Sequence, residues 1–317
     1  MWLQMRLYLL LGLMLAIIYG VIVGIASAIG VGSLLVYAIL AILLVLLQYI
    51  LGPSLVKWTM KVKYVSEQEY PVLHSMISEL AKAARIRKPR VGVSRVPIPN
   101  AFAFGRTRWD ARVCVTEGLL KSLNSDELRA VLGHEISHIK HNDMALITIL
   151  SIFPLIIYFM AWGLMLSGRG RGQGGIPLPL IGIGMLVLYF ITNLLVLYGS
   201  RIREYYADRG SVELGNRPRH MATALYKLAI GNARVPKESL KRVEGLKAFF
   251  VNDPSRAMNE IRELKEIDAD MSGTIDYEEL LALRSKTVRI RTADKLMELM
   301  STHPNMLKRI KHLSSLI

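Results

Sequence analysis

Two histidines separated by three residues, His134-Glu135-Ile136-Ser137-His138, carry the strongest chemical signal in the chain. On a helix, positions i and i+4 lie one turn apart on one face, so both imidazoles can reach a single zinc ion. The glutamate between them then stands beside the water that such a site activates. A third ligand, carboxylate or imidazole, must come from another element and leave a fourth position open. Glu204 and Asp208, in Glu204-Tyr205-Tyr206-Ala207-Asp208, are also one turn apart. Glu204 can complete a two-histidine, one-glutamate set, and Asp208 can bond the free ring nitrogen of a ligand histidine. The competing readings are surface histidines paired to carboxylates, and a solvated helix start whose acids pair with Arg201 or Arg203. His141 falls at the wrong phase for the same metal and reads as a supporting or surface residue.

These residues need a helix and a sheet to hold them. Ser125-Asp126-Glu127-Leu128 reads as a helix start after a turn over Leu119–Asn124, running through Ala130, Val131 and Leu132 into the histidine pair. Val91–Val96 and Ala111–Thr116 read as strands around a loop containing Asn100–Phe104.

The rest of the chain explains where the site must work. Its 317 residues are 52% hydrophobic and 21% charged, with a formal net charge of +15 and a mean hydropathy of +0.34. Apolar and basic residues must therefore be segregated, which excludes a plain soluble globule and a disordered chain. One cysteine, Cys114, excludes a disulfide framework and a cysteine-rich zinc fold. No charge occurs between Arg6 and Lys57, a run of 50 residues interrupted near Gly30-Val31-Gly32-Ser33. It reads as two transmembrane helices at about 7–29 and 34–52. A signal peptide cleaved after Ala26-Ser27-Ala28 is the rival reading, disfavoured by the length of the apolar stretch and by the second one behind it. Further uncharged runs, 144–167 and 178–199, flank the glycine-rich segment 168–175 and make a third and a fourth span, with Pro154 able to kink the third.

Lys57, Lys61, Lys63, Lys140, Arg201 and Arg203 flank the ends that lead into the large polar segments. By the bias of basic residues, both termini and those segments lie in the cytoplasm. The basic excess then meets the lipid bilayer, and no motif for nucleic acid is present. The expected division is a hairpin over 1–56, a first part of a zinc domain over 57–143, an inner pair of spans over 144–200 and the second part over 201–317. The expected fold is a mainly α membrane protein of four spans with a cytoplasmic α+β domain.

Gly133–Asp143 (G-H-E-I-S-H-I-K-H-N-D), Glu204–Asp208, Asn100–Ala103 (N-A-F-A) and Thr302–Arg309 (T-H-P-N-M-L-K-R) occur in an order that resembles the HtpX-type integral-membrane zinc metalloproteases, relatives of the CAAX prenyl proteases. The resemblance covers nearly the whole chain. It implies a gluzincin-like peptidase domain and a plasma-membrane location. His134, His138 and Glu204 become ligands of one zinc ion, and Glu135 the catalytic base. Asn100 and Ala101 become part of an edge strand that pairs with substrate, and His303, with Arg309, steadies the oxyanion. The implied role is quality control, in which misfolded membrane proteins or peptides are cleaved. Prenyl-peptide processing is the runner-up, and a non-catalytic scaffold with a structural metal the reading from another class. An intact Glu135 argues against the scaffold.

One motif stands outside this scheme. Asp268-Ala269-Asp270-Met271-Ser272-Gly273-Thr274-Ile275-Asp276-Tyr277-Glu278-Glu279 fits a twelve-residue EF-hand loop, with glycine at position six and donors including Asp268, Asp270, Ser272, Thr274, Asp276 and Glu279. Helices at 254–267 and 277–286 would flank it. Calcium is the expected ion, and an acidic helix–turn–helix with solvated carboxylates the plainer alternative.

Overall fold

Residues 34–166, 177–233, 264, 266–286 and 292–317 are described by a computed structural model. The expected first span at 7–29, the glycine-rich segment 168–175 and most of the expected helix 254–267 lie outside these residues. Helix α1, Leu34–Thr59, covers the expected second span and continues through Pro53. A proline inside a helix removes one backbone bond, and the neighbouring turns carry the helix past it.

The chain divides into two compact units. One comprises the described part of Met1–Leu51 with Leu146–Leu197; the other comprises Gly52–Ala145 with Tyr198–Ile317.

The second unit holds a four-stranded sheet of β1 (Val62–Tyr64), β2 (Arg90–Ser94), β3 (Ala101–Phe104) and β4 (Arg112–Thr116), in the order β1-β2-β4-β3. β2 and β4 run parallel, while β1 and β3 are antiparallel to their neighbours. The loop expected at Asn100–Phe104 is thus a strand. Its alternation accounts for this: Phe102 and Phe104 pack with Val96, Ile98 and Cys114, whereas Ala101 joins the opposite core with Val113 and Val115. β1 has no counterpart in the sequence reading.

After α2 (Pro71–Ala83), the short α3 (Glu117–Ser122) replaces the expected turn, because the Thr116 hydroxyl accepts the Leu119 N–H and caps it. Helix α4, Ser125–Lys140, carries the histidine pair. Asn124 caps it reciprocally with Glu127, which satisfies two N–H groups that a helix start leaves open. Leu132, Ile136 and Ile139 pack into the core with Ile77 and Leu80 of α2, so the helix cannot rotate without exposing them.

Helices α5 (Asp143–Leu166, with Pro154 inside it) and α6 (Leu178–Glu213) follow. Both are long and apolar enough to cross a membrane. α6 does not stop where its uncharged part ends near Ser200; it runs on unbroken through Glu204 and Asp208. By contrast α4 and α5 are separate, divided at Asn142, whose φ of 56° lies in the left-handed region. Among the described residues, helices α7 (Pro218–Ala233), α8 (Tyr277–Ser285), α9 (Thr292–Leu299) and α10 (Met306–Ser314) follow in the second unit.

Candidate metal centre

Close approach of α4 and α6 creates the centre. A Cβ at Gly210 would lie 2.1 Å from Ser137 Oγ, and one at Gly133 would lie 2.4 Å from Asn216 Nδ2. Glycine at these crossing points lets the helices come near enough for Ser211 Oγ to donate to the Ala130 carbonyl at 2.6 Å. His134 and His138 then face Glu204.

The three side chains bring one ligand atom each within 4.8 Å of the others. His134 Nε2 lies 3.1 Å from His138 Nε2, 3.6 Å from Glu204 Oε2, and His138 Nε2 is 3.5 Å from Glu204 Oε1. Nitrogen and oxygen ligands around one zinc at about 2.1 Å in a tetrahedron stand about 3.4 Å apart, so the spacing fits.

The outer nitrogens strengthen that fit. His134 Nδ1 is 2.9 Å from Asp208 Oδ1, and His138 Nδ1 is 2.7 Å from Asp143 Oδ2. A carboxylate at Nδ1 calls for a proton there, which leaves both Nε2 atoms as acceptors aimed at each other. Two facing lone pairs beside a carboxylate call for a proton or a metal cation between them. Asp143 was missed in the sequence reading; its signal was the Asp five residues after His138. It also pairs with Arg203.

Electrostatics follow from the partners. Burial alone would lower the two imidazole pKa values, but hydrogen bonds to Asp208 and Glu204 raise that of His134, and Glu204 raises that of His138. Burial opposes ionisation of Glu204 and Asp208. The charges of His303 and Arg309 nevertheless hold Glu204 well below the usual carboxylate range, and Arg309 holds Asp208 down. These groups lie beyond the uncharged part of α6.

Arg309 is fully buried. Its Nε and Nη2 meet Asp208 Oδ2 and Oδ1 at 2.9 and 2.6 Å, while Nη1 lies 3.0 Å from Glu204 Oε2. The guanidinium thus clamps Glu204, a candidate metal ligand, and Asp208, the carboxylate that orients His134. His303 is buried as well, with Nδ1 3.3 Å from Glu204 Oε1 and neither ring nitrogen hydrogen-bonded among the described residues. The turn that carries it is pinned by Arg201 Nη1, which donates to the carbonyls of Glu298, Leu299 and Ser301.

Glu135 is 4% exposed and forms no hydrogen bond or ion pair among the described residues. His141 is exposed and its ring bonds the Ser137 carbonyl at the end of α4, away from the centre.

Asn100 and Ala101 stand at the start of β3, the edge strand on the side of α4. Asn100 exchanges both of its main-chain bonds with Thr116: its N–H donates to Thr116 Oγ1, and its carbonyl accepts the Thr116 N–H, each at 2.9 Å. In an antiparallel ladder the next residue points its main-chain groups the other way. Ala101 and Ala103 therefore turn theirs to the free edge.

A histidine pair one turn apart, a carboxylate from a second helix and a buried unpaired glutamate define a metallopeptidase site. The chain belongs to peptidase family M48, whose model matches residues 67–317; M48 metallopeptidases use zinc. It is similar to "Protease HtpX homolog" of Methanothermobacter thermautotrophicus, 49% identical over 228 residues, 72% of this chain and 86% of the relative. A homologue of the same name from Thermoplasma acidophilum is 32% identical over 305 residues, 95% of this chain and 91% of the relative. The fold is similar to that of S. mikatae Ste24p, with a TM-score of 0.52 at 16% identity, covering 99% of this chain and 67% of that one. The chain is a membrane-associated metalloprotease of the HtpX type.

Proposed function

We propose that this protein is a zinc endopeptidase that cuts membrane proteins, damaged or misfolded ones among them, at the cytoplasmic face of the cell membrane. The observation that carries the reading is the buried, unpartnered Glu135 beside the His134–His138–Glu204 set. A structural metal needs no such base.

His134, His138 and Glu204 would hold a zinc ion, which would supply Lewis-acid chemistry to a scissile carbonyl and an attacking water. Glu135 takes the proton from that water and delivers it to the leaving amine. His303 Nε2, buried and without a partner among the described residues, donates a hydrogen bond to the developing oxyanion. The free edge at Ala101 and Ala103 pairs with an extended substrate segment, with α4 alongside. Substrates from the bilayer are supported by α6, in which Glu204 follows the uncharged part by four residues, about 6 Å of helix. Four spans with both termini cytoplasmic follow from the uncharged runs and the flanking basic residues.

The test is Glu135→Gln. Hydrolysis of a casein or membrane-protein substrate in detergent should fall by about 10³-fold, the scale of general acid–base catalysis, with one zinc per chain retained. Activity near wild type would sink the mechanism. Membrane proteins that accumulate around this variant in cells would identify substrates.

A further inference from the structure

The Asp268–Glu279 loop has no second loop beside it among the described residues, and it leans on α7 instead. Ile275, at position eight, is buried, and both of its main-chain groups go to one side chain. Its N–H donates to Thr223 Oγ1, and that hydroxyl donates to the Ile275 carbonyl, each at 3.0 Å. One hydroxyl thus closes both bonds that a neighbouring loop's main chain would otherwise close. Three residues further along α7, Tyr226 Oη donates to Asp268 Oδ2 at 2.6 Å. Residues three apart share a helix face, so α7 grips the loop at its first and eighth positions.

The loop is folded for coordination. Gly273, at position six, has φ +78° and donates its N–H to Asp268 Oδ2 at 3.0 Å. Asp276 caps α8 by accepting the Glu279 N–H at 2.8 Å, and Glu279 accepts the N–H groups of Ala269 and Asp276. Asp268, Asp270 and Glu279 thereby each bring a carboxylate oxygen within 4.8 Å of the others.

Asp268 gives the independent observation. The residue is 4% exposed, and its buried Oδ1 has no hydrogen-bond partner among the described residues. Nor does a lysine or arginine among them pair with any of the three acids. A buried carboxylate oxygen without a partner, in a residue close to two more carboxylates, favours a cation among them.

We propose that Asp268–Glu279 is a single calcium-binding loop, with side-chain donors from Asp268, Asp270, Ser272, Asp276 and Glu279 and the main-chain carbonyl of Thr274, supported by Thr223 and Tyr226 of α7 in place of a paired loop. An all-oxygen donor set without imidazole or thiolate suits a hard cation. Occupancy also braces the metallopeptidase site, because Lys227 of α7 bonds both carboxylate oxygens of Glu127 at the start of α4, at 2.7 and 2.9 Å.

Calorimetric titration of the zinc-loaded full chain in detergent, freed of calcium on a chelating resin, tests this. Zinc content is measured before and after. One calcium per chain is expected, at least tenfold weaker binding in Glu279→Gln and Asp270→Asn, and weaker binding in Thr223→Val. Glu135→Gln should bind calcium as wild type does, which separates this site from the zinc centre. Asp270 is exposed, so its variant decides the matter even where Glu279→Gln folds poorly. No calcium heat in wild type, equal heat in the loop variants, or calcium binding that tracks zinc loss overturns the proposal. Magnesium binding as tightly as calcium overturns the choice of ion, and an unchanged Thr223→Val overturns the role of α7.

Discussion

The zinc-type centre and the Asp268–Glu279 loop belong to the same unit, yet they are assembled by opposite means. The loop draws its acids from twelve consecutive residues, and its turn forms from local bonds such as Gly273 N–H to Asp268. The centre draws on α4, the start of α5, α6 and α10, with Arg309 lying 175 residues after His134. Its ligand set is mostly buried and held by other side chains: Asp208 holds His134, Asp143 holds His138, and Arg309 holds Asp208 and Glu204. A local site can adapt around its ion, whereas a site built across the fold is preorganised and fails as a unit. Imidazole and oxygen donors suit zinc in the one, and oxygen alone suits calcium in the other.

The sharpest way to break this contrast is to remove the clamp. Arg309→Met leaves Asp208 and Glu204 buried without their cation and should destabilise the unit by about 3–5 kcal/mol. Denaturant unfolding of the full chain in detergent measures it. A loss no greater than that of a surface substitution would show that the centre is not preorganised by Arg309.

Next comes orientation without burial of a new charge. Asp143→Asn keeps the shape but weakens the hold on His138, and zinc affinity should fall by about 10–100-fold. Competition with a chromophoric chelator reads this directly, and unchanged affinity would mean that Asp143 serves only its pair with Arg203.

Acidity separates the two sites further. In metal-free protein the raised folded-state pKa of His134 and His138 contributes stability that is complete below the ordinary imidazole value, about 6.5, and is lost as pH rises through the raised values. Zinc needs neutral imidazole, so its binding strengthens over the same interval. The gap in melting temperature between zinc-loaded and metal-free protein should therefore widen from pH 6 to pH 8.5. A gap that narrows would contradict the assignment of the histidine pair as ligands.

The smallest effect concerns the helix start. Asn124→Ala removes the cap of α4 and should cost about 1 kcal/mol with zinc content unchanged, as thermal melts and metal analysis would report.

Much of the centre could be read directly from the chain because its signals are local. The histidine pair, Glu135 and the Glu204–Asp208 turn all rest on helical periodicity, and the uncharged runs rest on composition. What escaped depends on contact across the fold. Gly133 and Gly210 look like ordinary glycines until two helices meet at them. Asp143 looked like the last polar residue before a span, and Thr223 has no motif that marks it as a partner for Ile275. β3 read as a loop because Pro97 and Pro99 precede it and only four residues alternate. The uncharged run measures only the apolar stretch of α6: loss of apolar character marks a change of surroundings, and the backbone stays helical to Glu213.

Arg309 also has a consequence in time. It follows Asp208 by 101 residues, which at about 5–20 residues per second is about 5–20 s of synthesis. Throughout that interval a growing chain carries both histidines, Glu135 and Glu204, but lacks the guanidinium that sets Glu204 and Asp208 against them. The cutting apparatus is therefore completed late, and a ribosome-bound chain is an unfinished protease beside its newly made neighbours.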